Sequence, residues 1–253
     1  MSVMRSELVS YTNSALSIDK FSDYCPNGLQ VEGRSEIRKI VAGVTACQAL
    51  IDAAIAAEAD LILVHHGYFW KGEAQPLVGL KGRRIKALMQ ADINLLAYHL
   101  PLDAHQTWGN NVQLAQILGI RVEDGMEPGN PLSIGNIGSL DSALSAELFT
   151  QQVSEKLGRE AQLISGGDRE VKRVAWCTGS AERMIEQADQ LGADIFISGE
   201  ISEPVVHYAR EAGIHYLAAG HHATERYGVQ ALGQHLAEKF DLDYQYIDID
   251  NPA

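Results

Sequence analysis

Three short stretches of the chain bring imidazoles together with each other or with carboxylates. They are His65-His66, His99 with Asp103 four residues on, and His221 with Glu225 four residues on. A histidine and a carboxylate at that spacing can share one face of a helical turn or meet across a strand-to-helix loop. Together His65, His66, Asp103, His221 and Glu225 supply three imidazoles and two carboxylates. One catalytic metal usually takes three protein ligands and keeps a position open, so this set is too large for it. Two metals about 3.5–4 Å apart, bridged by a carboxylate and a water, would use it fully. Nitrogen and oxygen donors without cysteine favour Zn, Mn, Fe, Co or Ni over Cu(I) or Ca. His99 is a further ligand or a donor standing behind one. His222, next to His221, is expected to point elsewhere, and His105, His207, His215 and His235 are read as structural or surface residues. The competing account is that the histidines fill ordinary hydrogen-bonding roles at strand ends.

The elements that must position these residues are legible from periodicity. Leu61-Ile62-Leu63-Val64 is an apolar run too short for a helix, ending in His65-His66-Gly67. A buried parallel strand looks like this when it delivers polar groups to the carboxyl edge of a sheet, where ligands bind in open α/β folds. Adjacent strand residues point to opposite faces, so both histidines can serve one site only if the chain turns, which Gly67 permits. An amphipathic helix is expected at 4–17, then a turn-rich loop Asp23–Gln30, a strand at 39–46 and a helix at 49–57. An irregular basic piece with Lys71, Lys81, Arg83, Arg84 and Lys86 follows Gly67. It could receive phosphate groups, although a solvated helix face is the blander and favoured reading. A strand at 93–98 and a helix at 111–118 complete the first half.

Glu123–Ser133, with Gly125, Pro128, Gly129 and Pro131, is the linker candidate, which divides the chain into lobes 1–127 and 128–253. Beyond it strands are expected at 133–140, 194–198, 215–219 and 243–249, with a strand pair at 162–165 and 171–178. Helices are expected at 143–157, 181–191, 204–212 and 224–240. Strands alternating with helices mean an α/β fold with mainly parallel pairing and helices on the faces.

The halves also overlay. Val41–Asp60 matches Val174–Asp194 with one inserted residue, and each piece leads into a short apolar strand, Leu61–Val64 or Ile195–Ser198. Leu96-Ala97-Tyr98-His99 before Asp103 corresponds to Leu217-Ala218-Ala219-Gly220-His221 before Glu225. The reading is an internal duplication into two similar lobes. If the lobes face each other about a pseudo-twofold, the metal site lies in the cleft between them.

Composition narrows the rest. The 253 residues are 46% hydrophobic and 21% charged, the profile of a globular protein with a sizeable core. A formal net charge of -13 argues against non-specific nucleic-acid or anionic-membrane binding. Cys25, Cys47 and Cys177 form no Cys-x-x-Cys pattern, and Met1–Phe21 has no continuous apolar segment. A reducing, cytoplasmic setting is expected.

These residues carry a resemblance along essentially the whole chain. Asn27-Gly28-Leu29-Gln30, Val64-His65-His66-Gly67, His99 to Asp103, Ser198-Gly199-Glu200 and Gly220-His221-His222-Ala223-Thr224-Glu225 are similar to the GTP cyclohydrolase 1 type 2 homologues, the Nif-three-like family, in its short bacterial form. The resemblance implies two related α/β lobes, a dinuclear metal site in their cleft and a toroidal hexamer. It places metal ligands at His65, His66, Asp103, His221 and Glu225, with Glu225 as the bridge. His99-Leu100-Pro101 departs from the His-Thr-Asn often found there. The function expected is a metal-dependent hydrolase acting on a nucleotide or related heterocycle, with two divalent ions per chain. Its catalytic residues would be Glu225, with Glu200, His99 or His222 carrying protons, and Lys71, Arg83 or Arg84 holding phosphates. The alternative is a non-enzymatic metal-binding or regulatory ring-forming protein.

Overall fold

The apolar runs Val41–Val44 and Leu61–Val64 are strands buried on both faces, as their lack of alternation requires. The computed structural model describes Met1–Ala253. In chain order it contains β1 (Val3–Met4), α1 (Arg5–Ala15), β2 (Gly28–Val31), β3 (Glu36–Ile37) and β4 (Lys39–Thr45). Then come α2 (Gln48–Ala56), β5 (Leu61–His66), α3 (Gly79–Gln90), β6 (Asn94–Ala97) and α4 (Leu100–Ala104). The chain continues through α5 (Asn110–Leu118), β7 (Arg121–Gly125), β8 (Asn136–Leu144), α6 (Ala146–Leu157) and β9 (Gln162–Ile164). It proceeds to β10 (Val171–Trp176), α7 (Ile185–Gln190), β11 (Ile195–Ser198), α8 (Glu203–Ala212) and β12 (His215–Ala218). It ends with α9 (His221–Thr224), α10 (Arg226–Phe240) and β13 (Asp243–Tyr246). The fold is mixed α/β.

The chain forms two compact units, Met1–Leu102 with Gly228–Asp250, and Asp103–Tyr227 with Asn251–Ala253. These bounds differ from the single break expected at 127/128. The expected linker is instead β7 and the turn after it, and β7 pairs antiparallel with β8 inside the second unit. At the other end, β13 pairs in parallel with β4, and Ile247 and Ile249 pack on the first unit's core. The chain passes between units inside α4, near the start of α10 and again between Asp250 and Asn251.

The first unit's main sheet has the order β13-β4-β5-β6-β2, parallel except for the antiparallel edge strand β2. The second unit's sheet has the order β7-β8-β10-β11-β12-β9. Its parallel centre is β10-β11-β12, and β9 pairs antiparallel with β12 rather than with β10, so the expected 162–165/171–178 strand pair does not form. Each unit thus contains a consecutive parallel trio, β4-β5-β6 or β10-β11-β12, with an antiparallel edge strand that precedes it in sequence, and β13 adds a fourth parallel strand to the first unit.

The polar bracing repeats too. Asp60 Oδ2 accepts from the backbone N–H groups of Arg38 (2.7 Å) and Lys39 (3.0 Å). Asp194 Oδ2 does the same for Lys172 (3.0 Å) and Arg173 (2.7 Å). Gly33 donates to Asn94 Oδ1 at 2.8 Å, and Gly166 to His215 Nδ1 at 3.2 Å. This agreement of topology and bracing accords with an internal duplication.

Candidate metal centre

In the first unit, β5 runs on through both histidines instead of stopping before them. His65 is fully buried, and its Nδ1 lies 2.9 Å from the Tyr98 carbonyl oxygen. A carbonyl only accepts, so Nδ1 carries the proton and Nε2 keeps its lone pair. His66 Nδ1 is 3.3 Å from Thr45 Oγ1 on the neighbouring strand β4. The ring centroids of the two histidines are 4.5 Å apart. Gly67 contributes through its missing side chain rather than through a left-handed backbone. A Cβ there would lie 2.2 Å from Gln30 Oε1 and 2.6 Å from Ala97 Cβ.

His99, just after β6, joins this pair, with its ring centroid 5.1 Å from that of His65 and 5.9 Å from that of His66. Each of the three rings offers a nitrogen, and these atoms all lie within 4.8 Å of one another, close enough to hold a metal ion. His99 Nδ1 donates to Asp23 Oδ1 at 2.7 Å. Asp23 also accepts from Tyr24 N (2.6 Å), Asn27 Nδ2 (2.8 Å) and Leu100 N (3.0 Å). Burial alone would raise its pKa, but the hydrogen bonds from His99 and Asn27 outweigh that and hold it at about 2. The Asp23–Gln30 loop, which its composition marks only as turn-forming, is therefore the support of His99. Its one sequence signal is a carboxylate two residues before the Cys25-Pro26-Asn27-Gly28 turn.

In the second unit, Asp103 occupies α4 and is almost buried. Its Oδ1 accepts from Asn110 Nδ2 at 2.9 Å and Thr178 Oγ1 at 3.3 Å. His221 opens α9, after Gly220 has turned the chain at φ 97°. His221 Nδ1 lies 2.6 Å from Glu200 Oε1, and Nε2 lies 3.1 Å from Glu225 Oε2. Burial opposes a charge on this ring, yet the carboxylates of Glu225 and Glu200 prevail and lift its pKa to about 9. Glu225 is almost buried in the break between α9 and α10, so the long helix expected from Thr224 starts two residues later, at Arg226. Gly179, at φ 70°, makes room for it, since a Cβ there would stand 2.1 Å from Glu225 Oε1 and 3.2 Å from His221 Nε2. The buried thiol of Cys177, one residue past β10, is pushed well up by burial, with the charges of Asp103 and Glu225 adding to it. Asn110 and Thr178, which no spacing rule points to, are the supports of Asp103.

The two units use one design. His99 and His221 hold equivalent places after β6 and β12, and each has its Nδ1 on a carboxylate, Asp23 or Glu200. Imidazoles whose other nitrogen is engaged by a protein oxygen, with carboxylates nearby and no thiolate, suit a divalent transition metal or zinc. His222 is nearly buried, and its backbone N–H donates to the Ala253 carbonyl at 3.2 Å. His215 donates from Nε2 to Arg169 O at 2.8 Å, His235 lies 2.7 Å from Tyr11 Oη, and His105 stacks on Trp108 at 4.4 Å.

The basic piece after Gly67 is helical, not irregular, where it carries Lys81, Arg83, Arg84 and Lys86. Lys81 is engaged with Glu73 at 3.4 Å, and Arg83 and Lys86 are exposed.

An α/β fold carrying histidine–carboxylate groups at the carboxyl ends of equivalent strands defines the class. The chain belongs to the Duf34/NIF3 (NGG1p interacting factor 3) family, whose sequence pattern matches residues 3–252. A relative from Pseudomonas aeruginosa, named GTP cyclohydrolase 1 type 2 homolog, is 54% identical over the full length of both chains. One of the same name from Vibrio cholerae is 52% identical, covering 98% of each. Among solved structures, one described as protein ybgI of unknown function superposes with a TM-score of 0.95 at 48% identity, covering 99% of this chain and all of that one. A protein from Thermus thermophilus superposes with a TM-score of 0.90 at 35% identity, over 99% and 100%. No helix is long and apolar enough to cross a membrane.

Proposed function

We propose that this chain is a hydrolase dependent on two divalent metal ions and acting on a nucleotide or related heterocycle. The observation that carries the reading is the treatment of four imidazoles. His65, His66, His99 and His221 each have Nδ1 against a protein oxygen, the arrangement that orients Nε2 towards a cation. His65, His66, Asp103, His221 and Glu225 would hold the ions, with Glu225 shared between them. The chain passes from one unit to the other directly before Asp103 and two residues after Glu225.

Divalent ions bound there would lower the pKa of water towards neutrality and supply hydroxide for attack on an electrophilic carbon, such as C8 of a purine, or on phosphorus. Glu200 is half exposed, holds His221 Nδ1 and accepts from Ser180 Oγ at 3.2 Å, so it is placed to carry a proton to solvent. His99, braced by Asp23, is a second proton carrier or a further ligand. The relatives' name makes GTP the first substrate to try.

Elemental analysis of protein purified without chelator, wild type and Glu225→Ala, tests the site, and GTP turnover by the metal-loaded protein tests the reaction. About two equivalents per chain, falling sharply in the variant, with turnover, is the expected result. No uptake of Zn, Mn or Fe would remove the metal reading, and full loading without turnover of any nucleotide would remove the hydrolase. In that second case the alternative holds, a non-enzymatic regulatory or metal-binding protein. The family's description as an interacting factor favours it. The toroidal hexamer belongs to both readings and is read directly by light scattering. The free thiols of Cys25, Cys47 and Cys177 suit a cytoplasmic setting.

A further inference from the structure

Two aromatic side chains of the first unit stand against its histidine group without any part in holding a metal. The ring centroid of Trp70 is 5.0 Å from that of His99, at an interplanar angle of 84°, and 5.9 Å from that of His66. Tyr24 lies 6.3 Å from His99 and is 62% exposed.

The loops that carry them are laced together. Lys71 N–H donates to the Tyr24 carbonyl at 2.6 Å. Gln30 accepts from Tyr68 N (2.7 Å) and donates to the carbonyls of Tyr68 (3.1 Å) and Pro26 (2.8 Å). Trp70 Nε1 donates to Gly67 O at 3.2 Å, which sets the plane of the indole. Glu73 Oε2 accepts from the backbone N–H groups of Phe69 (2.9 Å) and Trp70 (3.2 Å) and so holds Phe69 at φ 66°. A bulky aromatic residue in the left-handed region is strained, and such strain persists where surrounding structure enforces it, often beside a ligand. What an aromatic wall adds is a π-face.

We propose that Trp70 and Tyr24 form the stacking platform that reads the substrate's planar heteroaromatic ring, a nucleobase, beside the His65–His66–His99 group. The proposal rests on the heterocycle reading above for its substrate class, but binding through the platform needs neither the metal nor turnover. Calorimetric titration with guanosine and, separately, ribose 5-phosphate tests it on the full-length protein. The proteins compared are wild type, Tyr24→Leu, Trp70→Leu and the conservative Trp70→Phe.

Loss of one stacking partner is expected to weaken guanosine binding on the order of tenfold. Trp70→Phe should retain most of the affinity, and none of the variants should alter ribose 5-phosphate binding. Tyr24 is exposed enough that its variant reports even if the Trp70 variants fold poorly. Equal guanosine affinity in wild type and Tyr24→Leu, or no guanosine binding by wild type, overturns the platform. Guanosine binding through Trp70 without hydrolysis of any nucleotide keeps the platform and removes the hydrolase. GTP turnover with an unchanged KM in Tyr24→Leu and Trp70→Leu does the reverse.

Discussion

Asp23 and Glu200 do the same work in different units: each fixes the ring of a histidine that follows a parallel strand and raises its basicity towards a cation. Removing the charge while keeping the shape separates that role from packing. Asp23→Asn and Glu200→Gln are each expected to lower metal affinity roughly 10- to 100-fold with little change in fold. Competition against a chromogenic chelator measures it, and wild-type affinity in both variants would mean that the carboxylates do not tune the ligands. Gly179 offers a sharper probe. Any side chain there meets a strained backbone and the Glu225 carboxylate, which is itself held in a buried break between helices. Gly179→Ala should therefore displace Glu225 and cost metal binding at least as much as the carboxylate variants. Elemental analysis showing full metal content in Gly179→Ala would refute the cradle. Neither Asp23 nor Gly179 belongs to a spacing pattern, which is why reasoning from pairs of ligand-type residues passes over their roles.

At the scale of elements, periodicity locates the central strands of both sheets and most of the longer helices, because burial on one or both faces leaves a repeating apolar signal, and it passes over the edge strands β2 and β7, the short β1 and β3, and the helix α3. The departures have local causes. The long helix expected from Thr224 is interrupted at Glu225, where a carboxylate is turned inward against His221. The Gly- and Pro-rich 123–133 stretch looks like a linker, yet its first residues pair with β8, a contact that only the neighbouring strand could supply. Asp60 and Asp194, which close the matched sequence segments, brace the starts of β4 and β10 through paired backbone N–H groups. Asp60→Ala and Asp194→Ala each leave two such donors without their acceptor, so each is expected to cost about 1–3 kcal/mol of stability. Urea titration reads this as a lower midpoint, and equal costs in the two variants are expected if the braces are equivalent. A midpoint unchanged in either would show that water replaces the carboxylate there.

For the molecule as a whole, the charge on His221 would link protonation to the binding of a metal. Its pKa of about 9 in the folded chain exceeds its ordinary 6.5. The ring's contribution to the stability of the metal-free protein is therefore complete below pH 6.5 and is lost as pH rises through about 9. A bound cation needs the neutral ring, so between about pH 7 and 9 metal affinity should rise about tenfold per pH unit, with one proton released per His221. Calorimetry in buffers of different ionisation enthalpy counts that proton, and a pH-independent affinity would exclude His221 as a ligand.

The sequence by itself determined the α/β class, the repeated strand–helix grammar and the residue types able to bind a metal, since hydrophobic periodicity and donor chemistry are both local properties. It also placed His65, His66, His99, Asp103, His221 and Glu225 at the ends of strands. Only the tertiary structure decided that β13 returns to the first sheet, that Asp23 backs His99 across 76 residues of chain, and that Glu200 backs His221. Those choices depend on which edges and carboxylates meet after folding, and residues far apart in the chain carry no periodic mark of the partner they will find.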